Sequence, residues 1–167
     1  MVFEKERGLP MKLDSYDMKI LACLQQDGRM SHAALSEQVN LSASQCSRRL
    51  QQLEQQGIIA GYRAEIDPQV LGLDVVALIN VTLEKQQENI AIAFEKSVQE
   101  QPEILECVLI TGDGDYELRV MARNLQHFSG FISDKLMRMP GVSSIKSNIR
   151  LSQVKQTKGL PLSLIET

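Results

Sequence analysis

The spacing of apolar residues changes character near residue 57. Before that point they recur at helical intervals; after it they alternate or run together as in strands. Ile20, Leu21 and Leu24 form one stripe of a first helix. Asp14 stands where a cap would accept the free amides of its first turn, and Asp17, three residues on, adds negative charge there. Gly28, just after Asp27, is a natural C′ stop. Ser31 caps a short second helix bearing Ala33, Ala34, Leu35 and Val39. Asn40 tolerates the left-handed conformation and makes the turn that follows. Ser42 then caps a third helix, expected over about 43–56 and ended by Gly57. Ile58-Ile59 and residues 62–66 read as short extended segments joined through Gly61.

Asp67-Pro68 breaks the pattern and marks a linker. The β-branched run at 75–83 is a strand, and Ile90, Phe94 and Val98, each four apart, give an amphipathic helix. Residues 104–111 and 116–122 are strands joined by a Gly-Asp-Gly-Asp hairpin signal. Leu125, Phe128, Ile132, Leu136 and Met139 predict one further helix, closed by Pro140-Gly141, and 142–151 a last strand. The order βαββαβ is the ferredoxin-like arrangement. The chain is therefore expected to be α+β: a winged helix-turn-helix domain at 12–66, a linker at 67–73, a ferredoxin-like domain at 74–152, and a tail at 153–167 that hangs free or reaches onto a partner.

Composition narrows the function classes. With 43% hydrophobic and 23% charged residues, the 167-residue chain has ordinary globular proportions. No run of eighteen apolar residues could span a membrane, and residues 1–7 lack the apolar core of a secretion signal, so the cytoplasm is the expected location. Cys23, Cys46 and Cys107 lie far apart among apolar residues and read as small buried side chains. With only His32 and His127 beside them, no metal site is expected. The nucleophile elbow, the phosphate loop, HExxH and the dinucleotide fingerprint are all missing, so neither catalytic residues nor a cofactor are expected. Net charge is −3: residues 1–66 carry eight cations and eight acids, residues 67–167 ten and thirteen. A DNA binder usually announces itself by a basic surplus. Here any such reading must rest on local arrangement.

That arrangement lies in the helical trio. On the third helix Cys46, Leu50 and Leu53 make a buried face, leaving Ser44, Gln45, Ser47, Arg48 and Gln52 outward and Arg49 at the flank. Arg can bridge two acceptors on guanine and Gln can bridge adenine, while Ser42 and Ser44 suit phosphate contact at a helix start. A merely solvated face is the alternative. The three-helix spacing, and the absence of acids from Ser42 to Gln52, favour DNA. One copy would be too small to grip DNA, so the second domain should assemble into at least a dimer. The other reading keeps an amino-acid-binding module but has the helical part dock a protein; the missing basic surplus supports it.

The turn Gly112-Asp113-Gly114-Asp115-Tyr116 admits two readings of about equal weight. It is a tight turn with glycines at positive φ, or a site where glycine amides hold a carboxylate and an aspartate holds an ammonium, as a zwitterionic amino acid requires.

In sum of motifs, the chain resembles the leucine-responsive regulator/AsnC family of bacterial and archaeal "feast/famine" regulators over about residues 12–158. The resemblance is carried by Leu13-Asp14-Ser15-Tyr16-Asp17, Gln26-Asp27-Gly28-Arg29, Leu41-Ser42, Arg49-Leu50, Gly57-Ile58-Ile59, Gly61-Tyr62, Asp67-Pro68, Thr111-Gly112-Asp113-Gly114-Asp115-Tyr116 and Met139-Pro140-Gly141-Val142, in order and spacing. It implies a helix-turn-helix for double-stranded promoter DNA, and the contact set read from the helix face stays at Ser42, Ser44, Gln45, Arg48 and Arg49. It also implies a regulatory domain that dimerises, assembles further to an octamer, and binds an amino-acid effector between dimers. Thr111, Gly112, Asp113, Asp115 and Tyr116 are the positions carried over, joined by Ile149 and Leu151. The sequence departs from the family at Asn40, where glycine is common, at residues 43–45, where a proline is common, and at Gly114, which removes a side chain from the effector turn.

Overall fold

The computed structural model describes residues 12–84, 88–157 and 159–165, which form three capped helices followed by a four-stranded sheet with its own helices. The expectation drawn from residues 1–7 lies outside them, as do positions 158, 166 and 167 of the tail. The chain divides into two units, one built from residues up to Glu65 together with the segment from Lys155 on, the other from Ile66–Val154.

In the first unit Asp14 starts α1 (Ser15–Gln26) by accepting the amides of Tyr16 and Asp17, while Asp17 accepts the Asp14 amide in return. This reciprocal capping box satisfies donors that a helix start leaves open. Gly28 stands at C′, just past the Asp27 cap, but at no positive φ. The Asp27 amide closes the helix on the Cys23 carbonyl, and the missing side chain of Gly28 instead makes room for the Tyr62 ring, 3.4 Å from where a Cβ would stand. Ser31 caps α2 (His32–Val39) through the Ala34 amide, and Asn40 at φ 56° makes the left-handed turn. Ser42 caps α3 (Ala43–Gln55). Ile20, Leu35, Val39, Cys46, Leu50 and Leu53 form the shared core.

After α3 no strand forms over 58–66. The amides of Ile58 and Ile59 both turn back to the Leu53 carbonyl, and the Tyr62 hydroxyl donates to Glu54, so this segment is tied to the helix it leaves. The tail is not a free arm. Gln25 bonds with its side chain to both the amide and the carbonyl of Leu160, and Gln156 donates to Glu65. Leu160, Leu162 and Ile165 border a cavity of about 880 Å³ with Leu21, Leu24 and Tyr62.

The second unit is an antiparallel sheet in the order β2-β3-β1-β4, formed by β1 (Val75–Leu83), β2 (Ile104–Leu109), β3 (Tyr116–Ala122) and β4 (Val142–Ile149). Alternate residues of β1 and β3 point to one face, where Phe94 and Val98 of α4 (Glu88–Gln99) meet Phe128, Phe131 and Leu136. The Phe94 and Tyr116 rings lie 4.9 Å apart at its centre. The order βαββαβ stands as the sequence pattern predicts. The strands at 104 and 142 end two residues earlier than expected. The last helix is not continuous: α5 (Leu125–Gly130) runs into a π-helical turn, Phe131–Lys135, and a 3-10 turn, Leu136–Arg138. Phe131 and Leu136 are both buried at a spacing of five. At 3.6 residues per turn that spacing would swing one of them off the sheet, and the wider turn restores it. At Gly141, φ is +73° and a Cβ would come within 2.1 Å of Ile90, so only glycine fits between this turn and α4. All three cysteines are unpaired; Cys46 is buried and the other two are half-buried.

Candidate functional site

The outward face of α3 carries the first set of expected residues. Its start is a second capping box: the Ser42 hydroxyl accepts the Gln45 amide at 3.3 Å, and Gln45 Oε1 accepts the Ser42 amide at 3.1 Å. Ser42 and Gln45 thus hold each other, although both remain exposed, and Ser44 lies 3.1 Å from the Ser42 hydroxyl. One turn on, Arg48 is exposed and makes no hydrogen bond or ion pair among the described residues. Ser47 is half-buried.

Arg49 is placed differently from its expected role. Its guanidinium turns inward to α1, with Nη1 2.7 Å from Asp17 Oδ1 and Nη2 2.8 Å from Asp14 Oδ2, over the Tyr16 ring at 5.5 Å. The bond to Asp17, then the one to Asp14, raises the guanidinium further above its ordinary pKa. The Asp17 amide and then Arg49 hold the Asp14 carboxyl below the usual range. Sequence reading missed this because Asp17 lies 32 residues before Arg49, and Asp14 further still.

The second set gathers at the β2–β3 hairpin. Gly112 and Gly114 sit at φ +111° and +126°, which L side chains rarely adopt. Thr111, Gly112 and Asp113 are exposed, and their amides make no hydrogen bond among the described residues. The Asp113 carboxylate is likewise without a partner there, while its carbonyl accepts from Asn80. Asp115 is already engaged: its carboxylate accepts the Leu83 amide at 2.8 Å and its own amide donates to Val81. Tyr116 does not line the turn. It is 5% exposed on the helix-covered face, with its hydroxyl donating to Glu95 at 2.8 Å. Burial, then the Glu95 carboxylate, pushes its phenol far above the usual range. The period-two series Tyr116, Leu118, Val120, Ala122 already carried that signal. Ile149 ends β4 opposite Ala77, and Leu151 is 97% exposed beyond it.

A third cluster escaped sequence reading. Glu103 sits with its Oε1 2.6 Å from Lys135 Nζ and 3.7 Å from His127 Nε2, while its buried Oε2 has no partner among the described residues. Burial works to raise this carboxyl, but the bond to Lys135, then its own backbone amide, with a smaller contribution from His127, outweigh it and the net shift is downward. Among the described residues no three His, Cys, Asp or Glu side chains converge as a metal site, and no helix is long and apolar enough to cross a membrane.

Residues 13–60 match the winged helix-turn-helix DNA-binding family, and residues 76–160 match the Lrp/AsnC ligand binding domain. The leucine-responsive regulatory protein of Haemophilus influenzae is 35% identical over 159 residues, 95% of each chain. The Bkd operon transcriptional regulator of Pseudomonas aeruginosa is 36% identical over 151 residues, 90% of this chain and 99% of that protein. Among solved structures, a transcriptional regulator of Neisseria meningitidis in complex with L-Met superposes with a TM-score of 0.86 at 39% identity, covering 90% of this chain and 97% of that one. The capped α3 in a helical trio, the βαββαβ sheet unit and these matches agree: the chain belongs to the Lrp/AsnC family of transcription regulators, with a helix-turn-helix DNA-binding domain and a ligand-binding domain.

Proposed function

We propose that this regulator reads double-stranded promoter DNA with the exposed face of α3, and that an amino acid bound at the hairpin turn changes how strongly it does so. The observation that carries the DNA contact is Arg48, a cation without a partner among the described residues, on a face that holds no acid from Ser42 to Gln52. Ser42, Ser44 and Gln45 at the helix start present hydroxyl, amide and dipole to a phosphate. Arg48 has the reach and fork for a guanine edge.

For the effector, the open amides at 111–113 suit a carboxylate and the unengaged Asp113 suits an ammonium. Asp115 and Tyr116 support the turn from behind, and Gly114 packs close to β1, where a Cβ would stand 3.4 Å from the Val81 carbonyl oxygen. The regulator complexed with L-Met supports an amino acid as the ligand class. Assembly completes the reading. The face of the sheet away from the helices exposes Leu78 and Val108, and a second copy would cover them. Dimers would then join toward an octamer, with Ile149 and Leu151 of one subunit beside the turn of another. An effector that prefers one assembly shifts the population toward it and so changes the number of α3 pairs that meet DNA together.

Fluorescence anisotropy on duplex from upstream of the regulator's own gene tests this, at two salt concentrations and with each of the twenty amino acids. Salt-sensitive binding, shifted by one or a few amino acids, is the expected result. Arg48→Ala should cost about 1–3 kcal/mol of specific binding, and Asp113→Asn should abolish the amino-acid response alone. Binding that no amino acid shifts would overturn the effector site. No preference over scrambled duplex would overturn the DNA reading for that promoter.

A further inference from the structure

The four carboxylate oxygens at the start of α1 are each assigned. Asp14 Oδ1 accepts the amides of Tyr16 and Asp17; Asp17 Oδ2 accepts the amide of Asp14. The two oxygens left over, Asp14 Oδ2 and Asp17 Oδ1, both face Arg49, one on each guanidinium nitrogen. Asp17 is buried to 5% exposure, so its charge needs a partner inside the unit. Arg49 is that partner, and it is carried by α3. The planar fork of arginine binds two carboxylates at fixed angles, which a point charge would not do.

We infer that Arg49 is a positioning residue for DNA recognition: it makes no contact with nucleic acid, and it sets the rotation of α3 by locking it to the capping box of α1. The inference rests on the DNA reading above. The apolar contacts of Cys46, Leu50 and Leu53 hold α3 against the core but tolerate small rolls, because dispersion has no direction. A helix surface lies about 5–6 Å from its axis, so a roll of about 10° moves a side chain at that radius by about 1 Å. Hydrogen bonds of Arg48 to a base edge survive only within a few tenths of an ångström. The two-armed ion pair supplies the directional restraint that the apolar face lacks, one residue from the side chain whose aim matters most. Non-specific binding to the phosphate backbone, which needs charge and little aim, would not depend on it.

Two variants test the role in the full-length protein. Asp14→Asn keeps a good cap, since Asn serves at this position as well as Asp, and removes one arm of the fork. The double variant Asp17→Asn with Arg49→Gln replaces the buried charges by a neutral amide pair. Circular dichroism establishes that each is folded. The readouts are the ratio of affinities for the upstream duplex and a scrambled one, and the slope of log affinity against log salt. The expected result is a fall in the ratio of about 3–10-fold for Asp14→Asn, and more for the double variant, with the salt slope unchanged in both. If Arg49 instead touches a phosphate, removing Asp14 frees it and tightens binding, and the double variant loses roughly 0.9 in slope; either outcome overturns the positioning role. An unchanged ratio in both folded variants overturns it too. A wild-type protein that prefers no duplex from a genome-wide selection overturns the DNA reading itself, and this role with it.

Discussion

Each unit of this regulator encloses a carboxylate, Asp17 buried and Glu103 half-buried, and the two are treated differently. Asp17 in the helical unit has both oxygens bonded, one to a backbone amide and one to Arg49. Glu103 in the sheet unit is nearly as enclosed, yet only its Oε1 is engaged, and Oε2 is left alone among the described residues. A fully satisfied buried charge fixes the geometry of everything bonded to it; a half-satisfied one keeps a standing cost that the local structure could relieve by moving. The first behaviour suits a helix that must be aimed. The second sits where the α5 segment has been rewound into a π-helical turn to bring Lys135 and Leu136 to their places.

The contrast can be broken from the Arg49 side first. Arg49→Ala leaves the Asp17 charge buried without its partner, and urea unfolding of the purified protein should show a loss of about 3–5 kcal/mol. A loss below about 1 kcal/mol would mean that Asp17 is hydrated and the contrast false. Lys135→Ala should cost less, roughly 1–3 kcal/mol, because Glu103 already tolerates one open oxygen and His127 remains nearby. Equal losses at the two sites would erase the distinction.

The smallest effect is in pH. The Glu103 carboxyl titrates below its ordinary 4.5 in the folded state. Its contribution to stability is therefore present above pH 4.5 and lost as pH falls through the lower, folded value. Between those limits Glu103→Gln should flatten the acid limb of the stability curve. Parallel limbs for wild type and variant would show that Lys135 does not stabilise the charged form.

Much of this was readable before the fold. The caps at Asp14, Ser31 and Ser42, the left-handed Asn40 and the βαββαβ order all follow from local residue chemistry and period, which act over a few positions. The role of Arg49 was not readable, since a helix flank looks the same whether its arginine faces solvent or an acid 32 residues earlier. The inward placement of Tyr116 was available from the strand's alternation and was masked by its place in a glycine-rich turn. The π-helical turn followed from no local signal: the apolar spacing at 125–139 fits an ordinary helix until the sheet demands Phe131 and Leu136 together. The tail offered neither period nor cap, and its bond to Gln25 spans 135 residues.

That last contact has a consequence for how the protein is made. The first unit takes its closing segment from residues synthesised 135 positions after the helix they touch. On the ribosome, where chains emerge from the N-terminus and domains generally fold as units, α1 to α3 can assemble early, but the flank around Gln25 stays uncovered until the whole sheet unit has been translated. A nascent chain stalled anywhere before residue 155 would carry a helical trio without its last brace.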